Sequence, residues 1–303
     1  MFRCIRCHSS LNLPSQEKCT CQSCAAVYVR DSHGYFVMLG EEIDVDSTVE
    51  EYAGEQHHCG QAVFERYLLD AARREPVWKV LDVGCGVGKT ATALARAGFE
   101  AFGVDLPSLT RFWAAAKNAP DRFLAASGTS LPFSDDTFDL VYSFGVIEHV
   151  GTTLGHCTLA ADYQRQRQAY AHEIVRVTKP GGRILIACPN KSFPIDIQHG
   201  PGDAAGRAGR VRTFVFDKTG MNVHKTWGRY HLVSYAELKK LFVDGSEGRE
   251  LVALPLKNYF QFGRFKSGFL KPFGSLAEFW VNHMPARVRR SFLNPYVMAQ
   301  IRK

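Results

Sequence analysis

The hydrophobic and polar pattern of residues 79–105 predicts a β-turn-α-β unit. An apolar run stops at Asp82, and three glycines follow at every second position. An Ala- and Leu-rich stretch with helical spacing comes next, and a second apolar run ends at Asp105. Short apolar runs bounded by turn residues are typical of buried strands. Glycines between a strand and a helix let the backbone turn sharply and approach a nucleotide closely, so the unit predicts a nucleotide pocket.

The same alternation of strands and helices continues downstream and predicts an α/β domain with a largely parallel sheet. Apolar runs predict the further strands, and helical spacing with a capping serine predicts a late helix. The predicted elements are strands 122–126, 140–144 and 183–187, a helix that ends at 173–177, a turn at 179–182, a helix 235–242 capped by Ser234, and strands 250–256 and 296–302.

Two Cys-x-x-Cys pairs near the start of the chain predict a structural zinc site. Thirteen residues separate the pairs, and two such pairs can place four thiolates at the corners of a tetrahedron. Cys19 is an alternative ligand to Cys21, and His8 is a further surplus donor. Reduced cysteines without a metal are the alternative to a zinc site. The predicted zinc ligands are Cys4, Cys7, Cys21 and Cys24.

Apolar and aromatic residues after the second pair predict two short strands, 27–29 and 35–39, around a turn at His33-Gly34. A ribbon of this size has little hydrophobic core, so metal binding would be coupled to its folding. An acid-rich segment follows, and residues 57–75 then have helical spacing. We therefore predict a zinc ribbon over residues 1–40, an acidic linker over 41–56 and the main domain over 57–303.

The composition is that of a globular protein whose charge is unevenly distributed. Hydrophobic residues make up 46% and charged residues 22% of the 303 residues, and the net charge is +7. Residues 257–303 contain nine Lys/Arg and one acid, whereas residues 31–55 contain eight acids and neither Lys nor Arg. A basic C-terminal region suits RNA, an anionic membrane surface or an acidic substrate. The odd number of cysteines, nine, and the lack of a signal-like or membrane-spanning run predict a cytoplasmic protein.

The glycine-rich turn differs from each of two common phosphate-binding motifs at one required glycine. A dinucleotide fingerprint would need glycine at position 89, which is Lys89. A P-loop would match Gly88-Lys89-Thr90 but would need glycine at position 83, which is Val83. The carboxylate of Asp105, at the end of the second strand, can accept hydrogen bonds from ribose hydroxyls.

The sequence Asp-x-Gly-x-Gly-x-Gly after a strand resembles the first motif of the class I S-adenosylmethionine-dependent methyltransferases. Residues 131–139, the strand 140–144 and the helix, Pro-Gly-Gly turn and strand that end near residue 187 resemble later blocks of that family, in the same order. The resemblance covers residues 79–190. It implies a Rossmann-like, seven-stranded α/β sheet with an antiparallel last strand and helices on both faces.

The resemblance also implies where S-adenosylmethionine would bind. The loop from Asp82 to Gly88 would hold the methionine end, and Asp105 would bind the ribose. The family usually has an aspartate four residues before Leu131, where it meets the adenine amino group, and this chain has Ser127 there. The predicted cofactor-binding residues are Asp82, Gly84, Cys85, Gly86, Gly88, Asp105, Leu106, Ser127 and Phe144.

Residues outside these motifs are candidates for the acceptor side of the site. His149 follows the strand 140–144 and is either a general base or a residue that orders its loop or stacks near the cofactor. Insertions after the fifth strand tend to form the substrate pocket in this family, here at about 190–231, and a surface loop is the alternative. A second insertion, at about 257–293, is Phe-rich and basic, which suits a cap over the pocket, base stacking or lipid contact. The predicted catalytic residues are His149, His199 and His231.

We predict a methyltransferase that acts on a small-molecule, lipid-linked or glycan acceptor, with peripheral membrane contact through the basic C-terminal region. The Glu148-His149 pair is similar to that of quinone-type and other small-molecule methyltransferases. The zinc ribbon is similar to that of the bacterial guanine methyltransferases of ribosomal RNA, so RNA is the alternative acceptor. A non-catalytic cofactor-binding protein, whose ribbon and basic region bind a macromolecule, is a hypothesis from another class.

Overall fold

The computed structural model describes residues 1–13, 17–39, 64–69, 78–153, 157–202, 204–245, 248–257 and 271–303. The acidic linker 41–56, most of the helix predicted at 57–75 and the Phe-rich stretch 259–270 lie outside the described residues. The chain divides into two compact units. The first unit contains Met1–Ser143, Ala169–Ile184 and Arg302–Lys303, and the second contains Phe144–Gln168 and Leu185–Ile301.

Sixteen strands occur in the described part of the chain. In chain order they are β1 (Phe2–Arg3), β2 (Ser10–Leu11), β3 (Lys18–Thr20), β4 (Val27–Arg30), β5 (Phe36–Met38), β6 (Lys79–Val83), β7 (Glu100–Asp105), β8 (Phe123–Ala126), β9 (Phe138–Phe144), β10 (Thr152–Thr153), β11 (Thr158–Leu159), β12 (Thr178–Pro189), β13 (Ile195–Asp196), β14 (Asn222–Val223), β15 (Glu250–Ala253) and β16 (Tyr296–Arg302).

Six α-helices occur among the same residues. They are α1 (Lys89–Arg96), α2 (Thr110–Ala115), α3 (Tyr163–Val177), α4 (Gly206–Thr219), α5 (Tyr235–Phe242) and α6 (Lys271–His283). A 3-10 turn, Pro107–Leu109, precedes α2, and a π-helical turn spans Phe64–Leu68. No helix of the described residues combines the length and the apolar character needed to cross a membrane.

The largest sheet contains ten strands in the order β15-β16-β12-β9-β6-β7-β8-β5-β4-β3. Strand β6 pairs in parallel with β7 and with β9, and β7 pairs in parallel with β8. The apolar runs of these strands are buried, as is expected where helices cover the faces of a parallel sheet. The seven strands from β15 to β8 correspond to the seven predicted from the sequence. The predicted Rossmann-like α/β architecture is therefore confirmed.

The ribbon strands extend the sheet of the first unit. Strand β4 pairs antiparallel with β3 and with β5, as the predicted hairpin required, and β5 then pairs in parallel with β8 through Val37 and Ala125. The Tyr35 ring packs edge-on against Trp113 with 5.2 Å between ring centroids, and the Tyr35 hydroxyl donates to the Asn118 carbonyl at 2.8 Å. These contacts give the small ribbon a hydrophobic core that its own residues could not supply.

Strand β12 begins earlier than the sequence predicts. Residues 179–182 were expected to form a turn, but they lie within β12. The Gly181 N–H donates to the Lys303 carbonyl at 2.8 Å, and the Lys303 N–H donates to the Gly182 carbonyl at 3.0 Å. These bonds to the last residue of the chain extend the ladder, and Gly181 accommodates the bend with φ +75°.

The second unit contains short hairpins and helices around the ends of β12 and β16. Strand β10 pairs with β11, and β13 pairs with β14. Helix α5 begins as predicted, because the Ser234 Oγ accepts a hydrogen bond from the Glu237 N–H at 3.2 Å and the Ser234 N–H donates to Glu237 Oε2 at 2.9 Å. This reciprocal pair is a capping box, so the predicted cap is confirmed.

Candidate functional site

The glycine-rich turn between β6 and α1 has the backbone conformation that its glycines permit. Gly84, Gly86 and Gly88 all have positive φ, at 81°, 51° and 77°. A Cβ atom on Gly88 would lie 2.6 Å from Asn118 Nδ2 and 2.6 Å from Phe123 Cε1, so the position also excludes larger residues sterically. The turn is therefore fixed by both conformation and packing.

Asp105 connects the end of β7 to this turn. Its Oδ2 accepts a hydrogen bond from the Gly86 N–H at 2.6 Å, and its Oδ1 accepts one from the Leu106 N–H at 2.7 Å. Burial raises the pKa of Asp105, although these two backbone bonds act in the opposite direction. Each carboxylate oxygen can accept a second bond, so the group retains acceptor capacity for the hydroxyls of a ligand.

Asp82 is buried at the end of β6 and bonds to a side chain that sequence reasoning missed. The Tyr142 hydroxyl donates to Asp82 Oδ2 at 2.7 Å. The contact follows from the parallel pairing of β6 with β9, which places Asp82 opposite Tyr142. Burial raises the pKa of Asp82 to about 8, Tyr142 partly opposes this shift, and the charge of Asp105 adds to it. Asp82 therefore holds a proton at neutral pH when no cofactor is bound.

Because Asp82 retains a proton in the native protein, the free energy of unfolding should depend on pH. An ordinary aspartate has a pKa of 3.8, so between pH 4 and 8 the native protein holds a proton that the unfolded chain has lost. Asp82 therefore stabilises the native state below pH 4, and this contribution disappears as the pH rises towards 8. The free energy of unfolding should fall by up to about 1.4 kcal/mol per pH unit in this range. In Asp82→Asn the free energy of unfolding should change less with pH in this range. Urea unfolding of the cofactor-free protein between pH 5 and 8 measures the difference. Asp121→Asn, at an exposed aspartate, is the matched control, and equal slopes for both variants would contradict the assignment.

The other predicted cofactor residues lie in different local environments. Cys85 is buried, and burial raises the pKa of its thiol well above the usual range. The Ser127 hydroxyl lies 2.7 Å from that of Thr129 and accepts a bond from the Thr129 N–H at 3.2 Å, which closes the turn after β8. Phe144 ends β9 and is the first residue of the second unit. Trp113, which the sequence did not indicate, donates its indole N–H to the Gly86 carbonyl at 2.5 Å.

The second unit brings the three predicted catalytic histidines together. The ring centroids of His149 and His199 are 5.1 Å apart, and those of His199 and His231 are 5.2 Å apart. His199 Nδ1 lies 2.8 Å from Asp196 Oδ2. Burial, followed by the neighbouring His199, lowers the pKa of His231 to about 3, so its imidazole is neutral. Burial raises the pKa of Glu148, which directly precedes His149 in the chain, to about 7.

Arg167, which sequence reasoning also missed, fixes the backbone of this cluster. Its Nε donates to the Val150 carbonyl at 3.2 Å, and its Nη2 donates to the carbonyls of Glu148 at 3.4 Å and His231 at 2.5 Å. The loop after β9 and the segment before α5 are thus bonded to one buried guanidinium. No local sequence pattern connects a helical arginine to three distant carbonyl groups, which explains why the role was not foreseen.

The four predicted zinc ligands also lie together, in the first unit. Their Sγ atoms are all within 4.8 Å of one another. Cys4 and Cys24 are separated by 3.6 Å between sulfurs, as are Cys7 and Cys21. A tetrahedral zinc ion with Zn–S bonds of about 2.3 Å requires sulfurs about 3.8 Å apart, so the four thiols fit this ion. Cys19 lies outside the group and donates its S–H to the Asn12 carbonyl at 3.4 Å.

The central segment of the chain is similar to known methyltransferases. Residues 81–186 match the family described as a methyltransferase domain. The chain is 40% identical over 108 residues to an uncharacterized methyltransferase of Mycobacterium sp. (strain JLS), covering 36% of this chain and 37% of that protein. It is 33% identical over 126 residues to a demethylmenaquinone methyltransferase of Renibacterium salmoninarum, covering 41% of this chain and 46% of that protein.

Among solved structures, the chain resembles the S-adenosylmethionine-bound amino pentose methyltransferase CalS10 from Micromonospora echinaspora. The sequence identity is 19%, the TM-score is 0.35, and the match covers 48% of this chain and 57% of that chain. The chain spans less than half the length of the two curated relatives described above. Residues 81–186, which carry the glycine-rich turn and Asp105, are thus similar to methyltransferase domains.

Proposed function

We propose that this protein is an S-adenosylmethionine-dependent methyltransferase that acts on a small-molecule, lipid-linked or glycan acceptor. The observation that carries the proposal is the arrangement of Asp105 beside the glycine-rich turn, at the carboxyl ends of the parallel strands β6 and β7. Ligands of open α/β sheets bind outside the carboxyl ends of the strands. The segment with this arrangement is also the one that matches the methyltransferase domain.

The residues of the first unit suit this cofactor. The turn from Asp82 to Gly88 would receive its methionine end, and the acceptor capacity of Asp105 suits two ribose hydroxyls. Cys85, Leu106 and Ser127 would complete the site. In the reaction, a lone pair of the acceptor forms a bond to the methyl carbon while the electron pair of the C–S bond moves to sulfur. The cofactor supplies the leaving group, so the protein's main contribution is alignment of the two reactants.

The second unit offers residues for the acceptor. His149, His199 and His231 lie together, on a segment that begins directly after β9 and on the insertion after β12. A buried polar cluster of this kind gives an acceptor both orientation and specificity. The similarity to a protein named demethylmenaquinone methyltransferase supports a small-molecule or lipid-linked acceptor for the present chain.

Exposed apolar side chains on helix α6 support the proposal that the protein contacts a lipid surface. Leu276, Phe279 and Trp280 are 68%, 62% and 42% exposed, although large apolar side chains are usually covered. Arginines at positions 287, 289 and 290 follow the helix. Exposed aromatic side chains near basic residues are typical of helices that lie on anionic membranes. This surface would give the protein access to a lipid-linked acceptor.

The four-cysteine site is proposed to hold one structural zinc ion. Its thiols come from the segments that flank β1 and β3, and no sulfur of the set is paired in a disulfide. A closed set of four thiolates leaves zinc no position for a substrate, so the ion would stabilise the ribbon and take no part in methyl transfer.

A methyl-transfer assay with labelled cofactor tests the proposed acceptor class. The purified protein is incubated with total cell RNA or with a small-molecule and lipid extract of the same cells. We expect label in the extract and none in RNA. Asp105→Ala, assayed in parallel, should lose the label if transfer depends on the proposed cofactor site.

Two results would contradict this proposal. Label in RNA alone, with binding that weakens steeply as salt rises, would favour the RNA methyltransferase, because basic residues that neutralise phosphates release counterions. Calorimetric binding of cofactor without turnover on either extract would favour a non-catalytic cofactor-binding protein.

A further inference from the structure

The second unit contains a group of metal-ligand side chains that includes the three histidines proposed to contact the acceptor. We call this group the histidine cluster; its members are Glu148, His149, Asp196, His199 and His231. Ligand atoms of Glu148, His149 and His199 lie within 4.8 Å of one another, and so do those of Asp196, His199 and His231. The two triads share His199, so the cluster is continuous.

Two members of the cluster are buried with unsatisfied polar atoms. His231 is 0% exposed, and neither of its ring nitrogens has a hydrogen-bond partner among the described residues. Glu148 is 1% exposed, and its Oε2 also lacks a partner there. A buried polar atom without a partner costs roughly 1–3 kcal/mol, so native structures rarely contain several close together. A cation bound by Glu148 would satisfy its Oε2 atom.

Asp196 holds His199 in an orientation suited to metal binding. Asp196 Oδ1 accepts bonds from the Gln198 N–H at 2.8 Å and from the His199 N–H at 3.2 Å, while Oδ2 lies 2.8 Å from His199 Nδ1. With its proton on Nδ1, directed at this carboxylate, His199 presents the lone pair of Nε2. Histidines that bind metals are commonly oriented by a carboxylate on the other ring nitrogen.

The charges and donor types of the cluster define the class of ion. Two buried carboxylates, Glu148 and Asp196, lie in the cluster, and the nearby Arg167 guanidinium is bonded to three backbone carbonyls. A divalent cation would balance both carboxylates. Three imidazoles with two carboxylates suit zinc, iron or cobalt better than magnesium or calcium, which prefer oxygen ligands alone.

We infer that the histidine cluster binds one divalent transition-metal ion, with Glu148, His149 and His199 as its ligands. Asp196 acts as a positioning residue through His199. This site is separate from the four-cysteine site, and its occupancy does not depend on the proposed methyl transfer. Metal binding can therefore be measured without cofactor or acceptor.

Cobalt provides a probe that distinguishes the two sites. Protein produced in cobalt-supplemented minimal medium is analysed for cobalt content and for its absorption spectrum. Only the four-cysteine site gives thiolate-to-cobalt charge-transfer absorption, whereas a nitrogen and oxygen site gives visible ligand-field bands alone. We expect two cobalt ions per chain in the natural protein. We expect one in His199→Ala and one in His149→Ala, with the thiolate absorption unchanged.

Conservative variants and a matched control complete the test. Asp196→Asn should weaken cobalt affinity about 10- to 100-fold, as the loss of a carboxylate that orients a ligating histidine does. His172→Ala, at an exposed histidine outside the cluster, should retain both ions. If His199→Ala also loses the thiolate absorption through misfolding, Glu148→Gln decides between the outcomes. A single cobalt ion in the natural protein, or two ions in Glu148→Gln with unweakened affinity, would overturn the inference.

Discussion

Replacing Cys21 and Cys24 together by serine is expected to lower the zinc content by one ion per chain and to unfold the ribbon. Structural zinc sites of this type contribute about 10–16 kcal/mol of apparent binding free energy in isolated peptides, and this free energy drives their folding. Here the four sulfurs hold together the segments around β1 and β3, which have few buried side chains of their own. The lost free energy of zinc binding should therefore exceed the stability that the remaining ribbon contacts provide.

Elemental analysis and thermal unfolding measure this effect. The double variant should lose one zinc ion per chain and should unfold at a lower temperature than the natural protein. Because β5 pairs with β8, the destabilisation should extend beyond the ribbon into the sheet of the first unit. Cys19→Ser is a matched control, since Cys19 is buried in the same ribbon but lies outside the four-cysteine group, and it should retain the zinc. An unchanged zinc content in the double variant, or a lost ion in Cys19→Ser, would show that the ligand set is wrong.

Asp105→Ala is expected to weaken S-adenosylmethionine binding about 30-fold or more. The variant removes one or two hydrogen bonds between a carboxylate and ribose hydroxyls, which together contribute about 2 kcal/mol or more. It also removes the acceptor for the Gly86 and Leu106 N–H groups, so the glycine-rich turn would lose part of its support. Both changes act in the same direction on cofactor affinity.

Titration calorimetry with S-adenosylmethionine and with its demethylated product measures the loss. Far-ultraviolet circular dichroism and an unchanged zinc content should show that the variant is folded. Asp121→Ala, at an exposed aspartate, controls for the change in net charge. Unchanged affinity in a folded Asp105→Ala protein would remove this residue from the proposed cofactor site, whatever the identity of the acceptor.

Short-range features of this protein could be predicted from the sequence because the relevant residues are neighbours in the chain. The β-turn-α-β unit of residues 79–105 follows from apolar runs separated by glycines, and the structure contains it as β6, α1 and β7. The capping box at Ser234 and Glu237 involves residues three apart. The spacing of the cysteine pairs likewise predicted which four sulfurs lie together. In each case a local geometric rule fixes the arrangement.

Contacts between distant segments were decided only by the tertiary structure. Tyr142 bonds to Asp82 because the register of β9 against β6 places the two residues side by side, and periodicity does not specify register. The ribbon joins the sheet through β5 and β8, although neither strand carries a signal for its partner. His231 lies 82 positions after His149 in the chain. The two histidines belong to one cluster only because His199 and the bonds of Arg167 hold their segments together.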